Sequence, residues 1–418
     1  MSIQHKVKRL LQGLSLLLLL SSATSAQAAV WQTKNQWSMA WETKYQEWVA
    51  EKMTTDFFMN PKTPVYYKMA HDCADSIYFM RIAFAYENKL PFAINNIMQK
   101  GKLLSNSMRN WDRENQVNRV RKFMQYVADR VGTRSLHLDT FPVALADIKA
   151  GDLYVQPGAH SYIITGITET GVTSIVSSTT PASPKHMVRL FAYPFFIPQD
   201  KVKMRDGYRR FKWPQNVKKP MQQQPGYSNE QYRVAEQVKY NYVAFTDVIA
   251  KKLRRRAEPL QEKTTRVLYG LCAFAKERVN YVNDGLNQLR RIRAGGRQCM
   301  NRTEYDYYST PSRDKRLKMY FNEVEKIAYS GGALRRDEIS IELLARAIFH
   351  PQIPNHLHAE LDRFCGLAAY PTNQKKFINL RQLWSNLKAG KVSSDPHATI
   401  GNRWGTSSAP HRATCPTY

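Results

Sequence analysis

The residues around Cys73 and His160 constrain the fold of this chain more than any other part of its sequence. Asp72 precedes Cys73 and is a residue type that caps helices, and the mainly apolar stripe after it predicts a helix to about residue 86. His160 lies 87 residues after Cys73, follows a turn at 157–158, and heads an alternating apolar stretch. That stretch predicts a strand. The chain is therefore expected to combine a helix that starts at a thiol with a sheet that carries an imidazole.

The apolar pattern between residues 150 and 213 has the two-residue period of strands, whereas the rest of the chain mostly has helical spacing. Five strands are predicted, at 152–156, 161–167, 172–177, 188–196 and 207–213. They predict a small antiparallel sheet. Residues 35–58 and 88–135 are predicted to be mainly helical. The sequence therefore predicts an α+β fold whose sheet lies in the first half of the chain.

The chain has 418 residues, which is too long for one ordinary hydrophobic core and favours two domains. The segment 214–227 is rich in Pro, Gln and Lys and is the best boundary between them. The predicted division is an N-terminal α+β domain at 29–215 and a mainly α-helical C-terminal domain at 228–418. No motif indicates a role for the second domain.

Residues 1–28 have the pattern of a secretory signal peptide. Three basic residues precede an apolar stretch at 14–20 that is too short to span a bilayer, and Ala26-Gln27-Ala28 provides the small residues of a cleavage site. No cysteine lies near that site, so a lipid anchor is not expected. No later segment has about 18 continuous apolar residues, so no transmembrane span is expected after signal removal. The signal resembles those of bacteria, which predicts a periplasmic or secreted protein.

The formal net charge is +28 at pH 7, and three of the positive charges lie in the predicted signal peptide. A surface this positive favours anionic polymers. For an exported protein the candidates are peptidoglycan or another anionic envelope polymer, including lipopolysaccharide and lipid headgroups. A nucleic acid partner is not expected, because the compartment is wrong and the sequence has no nucleic-acid-binding motif. The alternative is a basic soluble protein without a polymer partner.

The chain has five cysteines, and an odd number leaves one thiol unpaired in an oxidising compartment. Four lie in the C-terminal half, so Cys73 is expected to be free if those four pair with each other. Cys272–Cys299 with Cys365–Cys415 is the simplest of three possible connectivities. No two cysteines have the C-x-x-C spacing of zinc and redox sites, and the His356-x-His358 pair has no well-placed acidic partner. No metal or other cofactor is predicted.

A thiol at the N-terminus of a helix is acidified by the partial positive charge there, and a nearby imidazolium adds a full charge. Cys73 has the first of these, and His160 is the candidate for the second. A third polar group usually orients the histidine in such sites. His71 lies two residues before Cys73 and is a weaker candidate for the base, because it would face away from the thiol.

A helix that carries a thiol, followed by a strand that carries a histidine, resembles the NlpC/P60 branch of the papain-like cysteine peptidases. The resemblance rests on Asp72-Cys73, on Gly151-Asp152-Leu153, and on His160 at the head of an apolar strand that ends at Gly166. It covers about residues 60–180, which is under a third of the chain. It implies a papain-like fold for the N-terminal domain and a catalytic pair of Cys73 and His160.

In that family a third polar residue lies on the next strand and faces the histidine. Ser177 lies nearest that place, with Ser178 and His186 as alternatives, whereas the family usually has His, Asn or Gln there. The resemblance implies a hydrolase that cleaves amide bonds, with the stem peptides of peptidoglycan as its substrate. Cys73 would form a thioester, and His160 would take the thiol proton and return it to the leaving amine.

Two other functions stay open at the level of sequence. A non-catalytic wall-binding or scaffold protein on the same fold would explain the weak third residue and the large helical C-terminal half. A papain-like acyltransferase acting on lipid is the other alternative, and the chain shows no apolar substrate signal that favours it.

Overall fold

The computed structural model of the protein describes residues 29–194, 196–330, 340–370 and 377–418. The predicted signal peptide at 1–28 lies outside these residues. Helices occupy both ends of the described chain, and a six-stranded antiparallel sheet lies between them. This arrangement confirms the predicted α+β class and the helical C-terminal part.

The elements before the sheet form an N-terminal layer. They are α1 (Met39–Lys52), α2 (Cys73–Glu87), β1 (Ala93–Asn95), β2 (Leu103–Ser105), α3 (Gln116–Ala128) and α4 (Leu136–Asp139). Strands β1 and β2 form a two-stranded antiparallel sheet of their own. Helix α2 packs against the large sheet on one side and against α1 and α3 on the other. Every residue of α2 from Cys73 to Ala85 is therefore buried.

The large sheet forms the middle layer, and each pair of neighbouring strands in it is antiparallel. In chain order its strands are β3 (Thr140–Pro142), β4 (Leu153–Gln156), β5 (His160–Ile167), β6 (Thr173–Ser177), β7 (Val188–Phe191) and β8 (Gly207–Phe211). Their spatial order is β3-β8-β4-β5-β6-β7. The consecutive strands β4 to β7 lie side by side because short connections favour neighbouring antiparallel pairs.

Successive side chains on a strand point to opposite faces of a sheet, and both faces of this sheet are buried. On β5, Ile163 packs with the N-terminal helices, whereas Tyr162 and Ile164 pack with the C-terminal helices. On β6, Val176 packs with the N-terminal helices and Ile175 packs with the C-terminal helices. The strands therefore have apolar residues at consecutive positions because each face is covered by a layer of helices.

The C-terminal layer is entirely helical in the described residues. It consists of α5 (Glu230–Gln237), α6 (Tyr242–Leu253), α7 (Leu260–Ala294), α8 (Arg302–Tyr308), α9 (Pro311–Ser330), α10 (Ile341–Phe349), α11 (Asn355–Cys365), α12 (Leu380–Lys388) and α13 (Ile400–Trp404). The central helix is α7, which has 35 residues and contacts α9, α10 and β7. Within the described ranges, none of the helices is both long and apolar enough to cross a membrane.

The segment 214–227 contains two short 3-10 helices, Pro214–Asn216 and Met221–Gln223, and connects the sheet to α5. One hydrophobic cluster runs across this connection, from Tyr154 in the sheet to Phe321 in the helical layer. The placement of a domain boundary at this segment stays a prediction.

Three details of the predicted secondary structure are wrong. The sheet has six strands and not five, because Thr140–Pro142 pairs with β8 at its edge. Residues 88–135 are not mainly helical, since they contain the β1–β2 hairpin and only one long helix. The predicted strand at 188–196 ends at Phe191.

The four C-terminal cysteines form two disulfides, Cys272–Cys365 and Cys299–Cys415, and Cys73 is free as predicted. The simplest of the three connectivities, Cys272–Cys299 with Cys365–Cys415, was wrong because helix α7 separates Cys272 from Cys299. The 22 residues from Cys272 to the end of α7 extend about 33 Å, and the five residues beyond reach back at most about 17 Å. That gap exceeds the Cα separation of a disulfide, which is about 7 Å at most.

Candidate functional site

The site begins at the N-terminus of α2, where the predicted cap is present. The carboxylate of Asp72 accepts hydrogen bonds from the N–H groups of Ala74 at 2.9 Å and Asp75 at 3.0 Å. The carboxylate of Asp75 accepts in turn from the N–H of Asp72 at 3.0 Å, which completes a capping box. This double cap fixes the direction from which the chain enters the helix, and it places Cys73 at the first helical position.

Cys73 lies against Ser161, the residue that follows His160 on β5. The hydroxyl of Ser161 donates a hydrogen bond to the carbonyl oxygen of Cys73 at 3.1 Å. The side chain of Cys73 is only 4% exposed. Burial, and then the negative charge of Asp72, raise the pKa of the thiol to about 12, although hydrogen bonds from Ser161 oppose that shift. In this conformation the sulfur is a protonated thiol at neutral pH.

The thiol lies where the ladder between β5 and β6 stops. The last paired residues at this end are Ile163 and Val176. Beyond them, residues 71–73 bridge the two chain segments, because His71 binds the Ser178 hydroxyl through Nδ1 at 2.8 Å while Cys73 binds Ser161. Residues 71–73 therefore lie at the end of the sheet where the β5–β6 ladder stops.

The environment of His71 fits a structural role and does not fit the role of a base for the thiol. Its ring is fully buried, lies 4.4 Å from the ring of Phe58, and shares Nδ1 with the hydroxyl of Ser178. Burial, together with the positive charge of Lys185, lowers the pKa of His71 to about 3. A neutral imidazole with one nitrogen occupied in this way connects the start of α2 to the sheet.

His160 and Ser177 share a cavity on the face of the sheet that meets the C-terminal helices. His160 has the same side-chain parity on β5 as Tyr162, whose ring lies 4.5 Å away, and the opposite parity to Ser161. The cavity is small, with a volume of about 10 Å³, which is enough for about one water molecule. The described side chains that line it include His160 and Ser177 but not Cys73. The structure thus places the predicted imidazole and the predicted third residue in one cavity, whereas Cys73 contacts Ser161 and does not line that cavity.

The two alternatives to Ser177 have other environments. Ser178 is fully buried, and its hydroxyl is occupied by His71, donating to the carbonyl oxygen of that residue at 3.3 Å. His186 is exposed and does not line the cavity. Ser177 is therefore the one of these three residues that lies beside His160.

The C-terminal helices contribute residues to this cavity that the sequence patterns did not indicate. Glu277, Arg278 and Tyr281 come from α7, and Arg313 comes from α9. No motif precedes or follows these residues, so no local signal could have identified them. Ser161 was also missed, although its position directly after His160 was a usable signal.

The comparisons with known proteins give no relationship for this chain. No protein-family model, no curated protein and no solved structure matches it. Among the described residues, no group of three or more His, Cys, Asp or Glu side chains is arranged to hold a metal ion.

Proposed function

We propose that this chain is an exported cysteine hydrolase of the papain-like, NlpC/P60 type that cleaves amide bonds in peptidoglycan stem peptides. The observation that carries the proposal is the position of Cys73. It is the free cysteine of the described chain, it occupies the first position of a doubly capped helix, and it contacts the strand residue next to His160. Ser177 lies in the same cavity as His160, which supports a role in orienting the imidazole.

In the proposed reaction the sulfur of Cys73 attacks the carbonyl carbon of the amide, and His160 accepts the thiol proton. The backbone N–H of Cys73, in the first turn of α2, donates to the developing oxyanion. The C–N bond breaks, and His160 returns its proton to the leaving amine. Water then attacks the thioester, gives a proton to His160, and releases the carboxylate product and the thiol.

The geometry adds one requirement to this mechanism. Because His160 and Ser161 have opposite parity on β5, the imidazole reaches the sulfur only around the open end of the β5–β6 ladder. In the structure, burial keeps the thiol protonated, so the proposed reaction requires the imidazole and the sulfur to move closer together. Binding of substrate at the open end brings the imidazole and the sulfur together and lowers the pKa of Cys73 through the imidazolium charge.

The choice of substrate rests on charge and on the predicted export. The chain carries a net charge of +28, which attracts an anionic polymer. Two disulfides are compatible with an oxidising compartment outside the cytoplasm. Peptidoglycan is an anionic polymer of that compartment, and its stem peptides contain amide bonds.

Release of muropeptides from purified sacculi tests the proposal. The wild type should release them, and the variants Cys73→Ala and His160→Ala should lose at least about a hundredfold in rate, as expected for loss of a nucleophile or its base. Ser177→Ala should lose less, because it acts through His160. Equal release by the wild type and Cys73→Ala, with both proteins folded by circular dichroism, would end the proposal.

The burial of Cys73 and its raised pKa favour a second candidate, a non-catalytic wall-binding protein on the same fold. Alkylation by iodoacetamide distinguishes the hydrolase from the wall-binding protein. An accessible catalytic thiolate is alkylated rapidly near neutral pH, whereas a buried protonated thiol is not. Sacculi should accelerate alkylation of Cys73 if binding opens the site. Slow alkylation both with and without sacculi, together with co-sedimentation of the protein with sacculi, supports the second candidate.

A further inference from the structure

The helical C-terminal layer carries a groove that is far larger than the cavity beside His160. Its volume is about 560 Å³, which lies within the range of about 300–1,000 Å³ that ligand sites occupy. Helix α12, the end of α10 and residues 405–406 contribute to its lining. The described residues that line it are all different from those that line the His160 cavity. The groove is therefore a separate place where a ligand much larger than water fits.

Aromatic rings form the apolar part of this groove. The ring of Trp384 is fixed, because it stacks on Phe321 with 5.2 Å between the ring centroids and meets the edge of Phe349 at 5.9 Å. Phe377 also lines the groove, and its side chain is 52% exposed. An exposed ring beside a fixed one provides an apolar surface for the flat face of a ligand.

The polar part of the groove comes from the outer face of α12. Gln382 and Asn386 lie one helical turn apart and both line the groove. Oε1 of Gln382 accepts from the N–H of Asn379 at 3.1 Å, and Nδ2 of Asn386 donates to the carbonyl oxygen of Trp404 at 2.8 Å. These bonds hold both amides in one orientation, which lowers the entropy cost of binding. Amide groups both donate and accept, as do the hydroxyl groups of a sugar.

Two cations lie on the same wall of the groove. The guanidinium of Arg381 donates to the carbonyl oxygens of Ala347 at 3.1 Å and Pro351 at 2.7 Å. Nζ of Lys388 lies 5.9 Å from the centroid of the Trp384 ring. Carbonyl oxygens and rings are uncharged, so both side chains keep their full positive charge.

Acidic residues do not offset these charges in the described part of the groove. Its lining there includes no Asp or Glu, and the stretch 364–394, which contains α12, has five Lys or Arg residues and no acid. Asp362 of the neighbouring helix α11 accepts a hydrogen bond from the side chain of Asn379 at 2.8 Å and does not line the groove. A surface with charges of one sign attracts ligands of the opposite sign.

We infer that this groove binds an acidic oligosaccharide, with its sugar rings against the aromatic side chains and its carboxylates against Arg381 and Lys388. A sugar presents apolar C–H faces next to hydroxyl groups, so it matches aromatic rings beside fixed amides. Carboxylates match guanidinium and ammonium groups. A lipid tail has no hydrogen-bonding groups for the amides of α12. The inference goes beyond the proposed hydrolase function and does not require it, because the two sites share no described residue.

Calorimetric titration tests the inference with two matched probes. One is the glycan strand of peptidoglycan freed of its stem peptides, which carries lactyl carboxylates, and the other is the same strand after amidation of those carboxylates. The acidic strand should bind about ten- to a hundredfold more tightly, as expected for two contacts with charged groups. Lys388→Gln should weaken binding of the acidic strand about three- to tenfold and leave that of the amidated strand unchanged, whereas Lys388→Arg should keep both affinities.

Phe377→Ala tests the aromatic contact. It should weaken binding of both strands by the same factor, about three- to tenfold, because the contact of a ring with a sugar does not depend on the carboxylates. Lys100→Gln is the matched control, because Lys100 is an exposed residue between β1 and β2 and its replacement removes the same charge outside the groove. This variant should keep the affinities of the wild type. Thermal unfolding shows whether each variant is folded.

Four results would each overturn the inference. They are equal affinity for the two strands, no binding of the acidic strand, wild-type affinity in a folded Lys388→Gln protein, and wild-type affinity in a folded Phe377→Ala protein. Binding to phosphatidylglycerol vesicles that both variants weaken, without binding of the glycan, would assign the groove to a lipid surface instead.

The glycan site and the hydrolase proposal fail separately. Cys73→Ala should bind both strands like the wild type, so equal muropeptide release by these two proteins would end the hydrolase proposal and leave the glycan site in place. Hydrolysis that depends on Cys73, together with unchanged glycan affinity in Lys388→Gln and Phe377→Ala, would retain the hydrolase and end the glycan site.

Discussion

The hydroxyl of Ser161 donates to the carbonyl oxygen of Cys73, and this bond joins the start of α2 to the start of β5. Ser161 is fully buried, and its polar groups oppose the rise in the pKa of Cys73 that burial causes. One side chain thus contributes to the packing of the helix on the sheet and to the acidity of the candidate nucleophile.

Ser161→Ala should therefore change both properties. We expect the free energy of unfolding to fall by about 1 kcal/mol, the usual net value of one hydrogen bond, because the hydroxyl of Ser76 still donates to the Cys73 carbonyl oxygen at 3.2 Å. Alkylation of Cys73 by iodoacetamide at pH 9 should become slower, because the hydrogen bonds that lower the pKa of the thiol are weakened. Ser174→Ala makes the same exchange on β6 and should leave the alkylation rate unaltered. Faster alkylation in Ser161→Ala contradicts this account of the thiol.

Asp72→Asn should make Cys73 more reactive. The charge of Asp72 is the largest electrostatic contribution that raises the pKa of Cys73 after burial. Asparagine removes that charge and still caps a helix well, so the free energy of unfolding should change by less than about 0.5 kcal/mol. Alkylation at pH 9 should be faster than in the wild type. The comparison with Asp72→Ala, which loses the cap at a cost of about 1 kcal/mol, separates the effect of charge from that of helix stability.

Glu42→Gln should be strongly destabilising. The Glu42 carboxylate binds both terminal nitrogens of Arg81, at 2.8 and 3.1 Å, and both side chains are almost fully buried. Neutralising the acid leaves a buried guanidinium without its counter-charge, which costs about 3–5 kcal/mol in urea unfolding. The double variant Glu42→Gln/Arg81→Met should recover much of that loss. If the double variant is less stable than Glu42→Gln, the ion pair is not the source of the effect.

The Cys272→Ala/Cys365→Ala variant should unfold more easily than the wild type. Its bridge links α7 to α11 across a sequence separation of 93 residues, so its removal frees a long loop in the unfolded chain. The expected loss is about 2–5 kcal/mol, measured by urea unfolding without reductant. In the presence of dithiothreitol the wild type should be no more stable than this variant. A wild type whose stability does not change on reduction would show that the bridge contributes little.

Asp139 should make stability depend on pH between about 4 and 6. Burial raises its pKa to about 6, although Tyr78 donates to its carboxylate at 2.8 Å and the backbone N–H of Asn95 at 2.7 Å. Because the folded state holds this proton more tightly than the unfolded state, stability is greatest below the unfolded pKa near 4 and falls as pH rises through 6.

The size of that fall should be about 3 kcal/mol in urea unfolding. Asp139→Asn, which cannot titrate, should show a shallower decline over the same interval. Parallel pH profiles for the two proteins would contradict this prediction, because they would show that the carboxyl group of Asp139 has the same pKa in the folded and the unfolded state.

Local patterns in the sequence predicted the two ends of the candidate site well. The capping residue Asp72, the free state of Cys73 and the strand that begins at His160 are all present in the structure. The cap and the strand depend on residues that are neighbours in the chain, so spacing and residue type are enough to find them. The free state of Cys73 follows from the odd number of cysteines. The missed hairpin β1–β2 has three-residue strands, which are too short for a periodic apolar signal.

The rest of the site depends on contacts that no local pattern encodes. Arg313 reaches Thr180 across 133 residues of sequence, and Cys272 pairs with Cys365 over a similar span. The sequence indicated that the C-terminal half is helical, but not that α7 and α9 would cover the face of the sheet that carries His160. The experiments with Cys73 and His160 test whether the face that these helices cover belongs to a working active site.

The two bridges of the helical layer interleave along the chain, and this order matters for a polypeptide that is oxidised as it emerges into an oxidising compartment. The first two thiols to appear in that layer, Cys272 and Cys299, are not partners in the finished protein. Formation of the native disulfides therefore depends on α7 forming early enough to hold these two sulfurs apart, or on a disulfide isomerase that rearranges a non-native Cys272–Cys299 bond. The yield of native protein should accordingly be more sensitive to helix-breaking substitutions between residues 272 and 294 than its final stability is.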